Sequence, residues 1–321
     1  MAALAEQMKQ NLYAELKRTT TPPRRRTASA PRAAAPLLPP IGTQTRPNGE
    51  TYHPRLLGGL EDLAFLRDAR SHREHTLMVG PPGTGKTAMA EAAFAMDASP
   101  MSPGLETIVG TADTTEADLL GTFVQNPTTS TFEWLPGPLM RSVLNDVPLL
   151  VDEVALIDPR VLSVLYPLMD GRGELRIPMN PAVPPIKIGP GWFIIGAYNP
   201  DVPGAHMSDA LLSRFHHHFE VTTDWDLAAD LGVPEELITV VNNLEDRKIL
   251  DPPTYEGWIP QMRDALAFTT TAARYGTAFA VASLLRKCPA PDRADVTEAL
   301  DTKFANVTAL SLGARVPQVR Q

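Results

Sequence analysis

Eight consecutive residues constrain this chain more than any other part of it. An apolar run, Thr76–Val79, comes directly before them. They read Gly80-Pro81-Pro82-Gly83-Thr84-Gly85-Lys86-Thr87. The pattern Gly-x-x-x-x-Gly-Lys-Thr between a strand and a helix is typical of a phosphate-binding loop, whose backbone N–H groups and helix N-terminus hold phosphates. We expect all eight residues to bind ATP, with Lys86 at the β- and γ-phosphates and Thr87 as a magnesium ligand. The alternative is a glycine-rich turn that matches by chance.

A second apolar run ends in two acids. Residues 149–151 (Leu-Leu-Val) are followed by Asp152 and Glu153. Doubly wound sheets bind ligands at the carboxyl ends of their strands, so these acids are expected beside the phosphate-binding loop. Asp152 is predicted to hold magnesium, through water, and Glu153 to orient or deprotonate the attacking water. By itself the run is weak evidence, because many strands end in solvated acids, but the upstream loop makes the pairing strong.

Two kinds of periodicity divide the folded part of the chain. Over residues 52–223, short apolar runs alternate with helical stretches, which favours an α/β domain with a parallel sheet and crossover helices. The predicted strands are residues 76–79, 105–109, 149–151, 192–197 and 218–221. Over residues 224–312, helical patterns follow one another and predict an all-α domain, with a tail at 313–321. The predicted helices are residues 235–248, 258–268, 277–286 and 292–310.

The first 51 residues differ from the rest in composition. They are rich in Pro and Arg and predict a mostly disordered basic arm, with a possible short helix at residues 2–18. Residues 1–55 hold nine Lys/Arg and three Glu, so the remainder of this chain of net charge -8 carries about -14. The arm could bind nucleic acid or an acidic protein surface, or be a solvated tail. The acidic body disfavours a nucleic-acid motor.

Composition and cysteine usage bound the class of protein. Hydrophobic residues make up 43% and charged residues 21%, as in ordinary globular proteins, so a fibrous chain is excluded. No apolar stretch of about 18 residues occurs, so we expect neither membrane insertion nor a signal peptide. The single cysteine, Cys288, cannot form an internal disulfide. Together these features predict a cytoplasmic protein.

Further stretches of the chain carry a resemblance to one family. They are Asp118-Leu119-Leu120-Gly121, residues 132–139 (Phe-Glu-Trp-Leu-Pro-Gly-Pro-Leu), residues 168–174 (Leu-Met-Asp-Gly-Arg-Gly-Glu) and Ala197-Tyr198-Asn199-Pro200. With the two motifs above, they make residues 53–310 similar to the MoxR branch of the AAA+ ATPases. Within that branch the chain most resembles the CbbQ-, NorQ- and GvpN-like group, because of the residues on both sides of its last predicted strand. These are Ser213-Arg214-Phe215 before the strand and Val221-Thr222-Thr223-Asp224 at its end.

The resemblance implies a fold and two insertions. The fold is a P-loop AAA+ domain with a five-stranded parallel sheet of order 5-1-4-3-2, flanked by helices and followed by a small all-α lid. A helix-2 insert is implied at about 122–135 and a pre-sensor-1 hairpin at about 173–188, both projecting toward the pore of a ring. Phe132 and Trp134 of the first insert could grip a partner or pack beneath it.

The resemblance also implies roles for three catalytic side chains beyond Lys86 and Glu153. Asn199 resembles the sensor-1 residue that positions the lytic water, although an Asx turn before a proline is the alternative. Arg214 resembles the arginine finger that reaches the nucleotide of a neighbouring subunit, and a surface arginine is the alternative. Arg274 is similar to the sensor-2 arginine of the lid, but the usual Ser-Pro-Arg or Thr-Pro-Arg wording is absent, and a helix-surface arginine is again the alternative.

The function implied is ATP hydrolysis used on a partner protein. MoxR-type ATPases form rings, here expected to be hexamers, and act as chaperones in activation, cofactor insertion or complex assembly. Relatives often act with a protein that bears a von Willebrand factor A domain, and such a partner would be a separate chain. Two alternatives are an assembly scaffold with little sustained turnover and, less favoured, a nucleic-acid motor.

Overall fold

The computed structural model describes residues 38–100, 102–250 and 253–313. The predicted helix at 2–18 and nearly all of the predicted tail lie outside the described residues, as does most of the predicted arm. None of the helices described combines the length and apolar character needed to cross a bilayer.

The strands form one central sheet and several short hairpins. Their bounds are β1 (Gln44–Thr45), β2 (Thr51–Tyr52), β3 (Leu56–Leu57), β4 (Leu60–Glu61), β5 (Thr76–Val79), β6 (Glu106–Val109), β7 (Gly121–Gln125), β8 (Phe132–Pro136), β9 (Leu149–Asp152), β10 (Glu174–Leu175), β11 (Ile186–Lys187), β12 (Ile194–Tyr198) and β13 (His217–Glu220). The central sheet has five parallel strands in the order β13-β5-β12-β9-β6. Numbered among themselves, these strands run 5-1-4-3-2, so the predicted fold class is confirmed.

Helices cover the sheet and then continue beyond it. They are α1 (Asp62–His72), α2 (Lys86–Phe94), α3 (Glu116–Leu120), α4 (Pro138–Asn145), α5 (Pro159–Leu162), α6 (Tyr166–Met169), α7 (Asp209–Leu212), α8 (Trp225–Asp230), α9 (Glu235–Ile249), α10 (Met262–Tyr275), α11 (Thr277–Lys287) and α12 (Arg293–Asp301). Short 3-10 turns lie at Ala95–Asp97, Val154–Leu156 and Ser163–Leu165.

The sheet is held between two apolar clusters because its central strands are apolar on both faces. In β9, Leu149 and Val151 belong to one cluster and Leu150 to the other, and all three are fully buried. Leu77 and Met78 of β5 divide between the clusters in the same way. Side chains alternate across a strand, so a strand that is covered on both faces reads as a continuous apolar run. This burial fixes the positions of β5 and β9, whose carboxyl ends carry the predicted site.

The helices that follow the sheet enclose a core of their own. Leu237, Val241 and Leu244 recur on one face of α9 and are fully buried in a third cluster. Phe268 of α10 and Val281 of α11 are buried in the same cluster. The lid is thus a separate packing unit of helices α8 to α12, as the predicted fold class requires.

The folded part of the chain begins earlier than predicted. The disordered arm was expected to extend through Thr51, but β1 and β2 pair as an antiparallel hairpin within it. Arg46 donates to Glu91 of α2 at 2.9 and 2.7 Å, and the Ile41 N–H donates to Glu61 at 2.7 Å. The prediction failed because ion pairs and hydrogen bonds to the folded domain stabilise this polar segment, and composition alone does not reveal them.

Two hairpins occupy the regions where the insertions were expected. β7 pairs with β8 near the helix-2 insert, and β10 pairs with β11 near the pre-sensor-1 hairpin. In the first hairpin, the Trp134 indole N–H donates to Met140 Sδ at 3.3 Å, and its ring meets Phe123 edge to face at 5.1 Å. Phe132 is 69% exposed. Of the two aromatic residues singled out in the sequence, Trp134 therefore packs against the domain and Phe132 is available to a partner.

A buried histidine joins two neighbouring strands at their amino ends. His75, just before β5, accepts a hydrogen bond at Nδ1 from the Ile194 N–H at 3.1 Å. Its ring contacts Trp192 and His216 edge to face. Burial, helped by the nearby His216 and Arg73, lowers the pKa of His75 to about 4. The neutral imidazole is therefore part of the fold at neutral pH.

This histidine predicts a pH-dependent loss of stability. The folded pKa of His75 is about 4 and that of an unfolded histidine is about 6.5, so the unfolded state binds more protons between these values. Stability from His75 is complete above pH 6.5 and falls as the pH drops toward 4, by up to about 3 kcal/mol. Denaturant unfolding at several pH values checks this. His75→Gln keeps an acceptor but does not titrate, so a variant with the same pH slope as the parent would contradict the assignment.

Candidate functional site

A cleft of about 690 Å³ lies where the phosphate-binding loop, the acidic end of β9 and the lid meet. Six of the eight loop residues line it, from Pro82 to Thr87, together with Asp152 and Glu153. The lid contributes Leu227, Leu231, Met262, Arg263 and Leu266. The segment before α1 contributes Arg46, Glu50, Thr51, Tyr52, His53 and Arg55. The sequence analysis had named the loop residues and the two acids, but it had not named the residues that the lid and the segment before α1 contribute to the cleft.

The loop has the shape that phosphate binding requires, and glycine is needed at two of its positions. At Gly80 a Cβ atom would lie 2.4 Å from the Val221 carbonyl oxygen, so no side chain fits between the loop and the chain after β13. Gly85 has φ of 96° and is the N-cap of α2, a conformation that L side chains rarely adopt. No side chain among the described residues caps this helix. Its first N–H groups are available to phosphate oxygens.

Lys86 is held inside the loop. Its Nζ donates to the carbonyl oxygens of Gly80 at 2.7 Å and Pro81 at 2.9 Å. These are the two loop residues that do not line the cleft, and they position the lysine instead. Burial lowers the pKa of Lys86, while the carboxylates of Glu153 and Asp152 oppose that shift. An ammonium group has three donors, so one remains for a phosphate oxygen.

A direct hydrogen bond joins the two predicted motifs. Thr87 Oγ1 donates to Asp152 Oδ2 at 2.8 Å, although the residues come from α2 and β9. The other oxygen of Asp152 accepts from the Glu153 N–H at 3.0 Å. A hydroxyl and a carboxylate side by side are the hard oxygen donors that magnesium prefers. The residues that the sequence assigns to the metal therefore fit a magnesium ion.

Glu153 has a strained backbone at the end of β9. Its φ of 50° and ψ of 40° lie in the left-handed region, which costs a residue with a side chain about 1–3 kcal/mol. Such strain occurs most often at functional sites. The turn continues into the 3-10 turn, where the Leu156 N–H donates to the Glu153 carbonyl at 3.0 Å. The chain thus leaves the strand directly after Asp152, and Glu153 lines the cleft.

Asn199 lies at the end of β12, between the strands that carry the loop and the two acids. It is 5% exposed, and its neighbour Tyr198 accepts a hydrogen bond from the Gly80 N–H at 3.2 Å. Asn199 Oδ1 accepts from the Asp201 N–H at 3.1 Å, so the Asx turn exists. The amide Nδ2 donates to nothing in the described part of the chain. Asn199 is not among the residues that line the cleft, and the Asx turn leaves its amide nitrogen unused.

The structure corrects the prediction for Arg274. This residue lies in the last turn of α10, outside the cleft, with its guanidinium 6.0 Å from the Tyr275 ring. Arg263, in the first turn of the same helix, lines the cleft, and its N–H donates to the Gly83 carbonyl at 3.2 Å. About 16 Å of helix separates the two arginines. The lid arginine at the site is therefore Arg263.

Arg263 could have been found from a helix-start signal. Gln261 caps α10, and Asp264 completes the capping box. The sequence analysis places this helix at residues 258–268 and chooses Arg274 for its resemblance to the sensor-2 arginine, so it does not single out Arg263 at the start of α10.

Two substitutions on this helix form a matched pair. Arg263→Ala is expected to lower kcat/KM for ATP by about 10- to 100-fold, the range for a lost hydrogen bond to a charged group. Arg274→Ala should stay near the parent value, because its side chain does not line the cleft. Steady-state phosphate release at varied ATP measures both. A larger loss in Arg274→Ala than in Arg263→Ala would reverse the assignment.

Arg214 lies near the amino ends of the parallel strands, whereas the cleft lies at their carboxyl ends. The N–H groups of His216 and His217, just after it, donate to the His75 carbonyl, which precedes β5. The phosphate-binding loop follows the other end of β5, a four-residue strand about 13 Å long. Arg214 does not line the cleft of its own chain. Its position suits an arginine that acts on a different subunit.

Fold and site together define a P-loop protein of the AAA+ class. A family model described as "AAA domain (dynein-related subfamily)" matches residues 75–215. The uncharacterized protein SH1500 of Staphylococcus haemolyticus is 30% identical over 197 residues, covering 59% of this chain and 70% of that protein. The chain belongs to the MoxR-type AAA+ ATPases.

Two other relatives share a shorter region. The denitrification regulatory protein NirQ of Stutzerimonas stutzeri is 31% identical over 158 residues, covering 49% of this chain and 53% of NirQ. The uncharacterized protein YeaC of Bacillus subtilis is 27% identical over 164 residues, covering 50% of this chain and 47% of YeaC. The chain thus spans about half the length of these two relatives.

Proposed function

We propose that this protein is a magnesium-dependent ATPase that works as a ring and uses hydrolysis to remodel a partner protein. The observation that carries the proposal is the 2.8 Å hydrogen bond from Thr87 to Asp152, which brings the two predicted motifs into one site with Glu153 beside them. That arrangement supports ATP hydrolysis, since it places phosphate donors, metal ligands and a candidate base around one cleft.

The chain's own residues divide the work at this site. The loop N–H groups and Lys86 hold the phosphates, and Arg263 approaches them from the lid. Thr87 and Asp152 would hold magnesium, which when bound neutralises phosphate charge. Glu153 orients or deprotonates the attacking water, and the free amide of Asn199 positions it. The other residues that line the cleft include Tyr52, His53 and the apolar residues of the lid, and these would contact the nucleobase.

The position of Arg214 supports the proposed ring. Its guanidinium lies outside its own cleft, so we propose that it acts on the nucleotide of a neighbouring subunit and that the catalytic unit is at least two chains. We propose a hexamer, as the family resemblance implies. Hydrolysis in one subunit then depends on contact with Arg214 of the next subunit.

The proposed client is a protein. The β7–β8 hairpin presents Phe132, Leu135 and Phe123, which are 69%, 57% and 46% exposed and suit an apolar contact. A separate partner with a von Willebrand factor A domain and a cytoplasmic location remain predictions from the sequence.

A trapping experiment tests the proposed function. Glu153→Gln rings in ATP should retain a client protein in a pull-down, and ADP should release it. The parent protein should release phosphate from ATP with magnesium and stop when EDTA is added. Turnover too slow to detect would favour the assembly scaffold, and stimulation by single-stranded DNA or RNA would favour the nucleic-acid motor.

A further inference from the structure

Each of the three nitrogens of the Arg214 guanidinium donates a hydrogen bond within its own chain. Nε donates to Asp170 Oδ1 at 2.7 Å, and Nη2 donates to Asp170 Oδ2 at 2.9 Å. Nη1 donates to the Ala210 carbonyl. The guanidinium also stacks over the Tyr166 ring, 4.2 Å from its centroid. A carboxylate, a carbonyl and an aromatic face thus hold one side chain.

The groups that surround the Arg214 guanidinium form a cradle, and two of its residues, Tyr166 and Asp170, come from a single helical turn. Tyr166 is the first residue of α6 and Asp170 is the C-cap of that helix, one turn further on, and the Asp170 N–H donates to the Tyr166 carbonyl at 2.9 Å. The Tyr166 hydroxyl lies 3.3 Å from Ser208 Oγ, and Ser208 is the N-cap of α7. Because α7 leads directly to Arg214, the tyrosine fixes both the helix before the arginine and the face beneath it.

The contact with Asp170 has the geometry that a phosphate would need. A carboxylate accepts two parallel bonds from a guanidinium, and a phosphate accepts the same pair. Arg214 holds the pKa of Asp170 below its usual range, so the acid is ionised and neutralises the arginine at neutral pH. The side chains are 23% and 31% exposed, so the pair can exchange partners at the surface.

We propose that Asp170 is a positioning residue that holds the finger in reserve and must release it to the γ-phosphate of the neighbouring subunit. This inference rests on the proposed trans action of Arg214. A phosphate that accepts this same parallel pair of N–H groups displaces Asp170, so each hydrolysis event then includes an exchange from one acceptor to the other. Tyr166 and Ala210 keep the arginine pointed outward during that exchange.

Removing the charge of Asp170 should therefore speed hydrolysis. Asp170→Asn keeps the size of the side chain but loses the bidentate ion pair, so the finger transfers more easily. We expect kcat to rise about two- to fivefold, the range that exposed ion pairs give. KM for ATP should not change, because Asp170 does not line the cleft of its own chain.

Rings mixed from two kinds of subunit separate the contribution of Arg214 to hydrolysis from the contribution of the cleft. Subunits with Arg214→Ala have an intact cleft and no finger, whereas subunits with Glu153→Gln have a finger and no hydrolysis. An equal mixture should regain activity, and adding Asp170→Asn to the Glu153→Gln subunit should raise that activity two- to fivefold. If the first mixture stays inactive, the trans finger fails and the Asp170 inference fails with it. If it is active but Asp170→Asn gives no rise, only the Asp170 inference is overturned.

Two further variants separate this role from a structural one. Asp170→Glu restores the charge and should return the rate toward that of the parent. Asp209→Asn removes an exposed acid from α7 and should leave the rate unchanged. Thermal unfolding of each variant verifies that it is folded. A loss of activity in folded Asp170→Asn to the level of Arg214→Ala would show that the carboxylate holds the finger for catalysis rather than in reserve.

Discussion

Glu153→Gln is expected to bind ATP and to hydrolyse it about 10²- to 10⁴-fold more slowly than the parent, the range for loss of a positioned general base. The amide has the size of the carboxylate but cannot accept a proton. Asp152 keeps both of its contacts in the variant, because it bonds to the Thr87 hydroxyl and to the backbone of residue 153. The phosphate and metal contacts are thus preserved while the base is lost.

Two measurements separate binding from chemistry in this variant. ATP affinity, from a fluorescent ATP analogue, should stay near that of the parent, and single-turnover phosphate release should show the loss. Glu236→Gln removes an exposed acid from the first turn of α9, in the lid, and serves as the control. Normal turnover in Glu153→Gln would remove this residue from the mechanism.

The parts of the site that could be predicted are those encoded in contiguous residues. The phosphate-binding loop is one such part, because its glycine positions and its lysine are set by local backbone geometry. The acidic end of β9 is another, because Leu149 to Val151 are buried on both faces and give an unbroken apolar run. Their meeting followed from the rule that parallel strands bind ligands at their carboxyl ends.

The parts that could not be predicted depend on contacts between distant residues. Arg46 and Arg55 belong to the site because of an ion pair with Glu91 and a 2.7 Å bond to the Thr222 carbonyl. Neither partner is adjacent in sequence, and the surrounding composition resembles a disordered arm. The family resemblance pointed to Arg274, whereas the lid arginine that lines the cleft is Arg263, whose backbone N–H bonds to the Gly83 carbonyl.

The cradle of Arg214 shows the same limit. Tyr166 and Asp170 are one helical turn apart, but nothing in that spacing indicates which side chain they meet. Residues 166–170 and 208–214 are distant in sequence and meet through the Arg214–Asp170 bonds and the Tyr166–Ser208 contact. A positioning role for Asp170 therefore becomes visible once the fold is known, whereas a finger role for Arg214 is visible from the family resemblance.

Arg214→Ala is expected to reduce hydrolysis by about 10³- to 10⁵-fold in uniform rings, the range for an arginine supplied in trans. ATP binding should persist, because the residue lies outside the cleft of its own chain. Phosphate release and nucleotide affinity, measured on the same preparation, separate the two effects. Mass photometry should show that rings still assemble, which excludes simple loss of the interface.

The dependence on mixing ratio distinguishes trans action from a local effect. If Arg214 acts in trans, rings made from Arg214→Ala and Glu153→Gln subunits are inactive at either extreme and most active near equal proportions, where intact clefts most often adjoin intact fingers. If Arg214 acted within its own chain, every subunit in the mixture would lack one catalytic group, and no ratio would restore activity. A flat, inactive profile across all ratios, with rings intact, would therefore contradict the shared site.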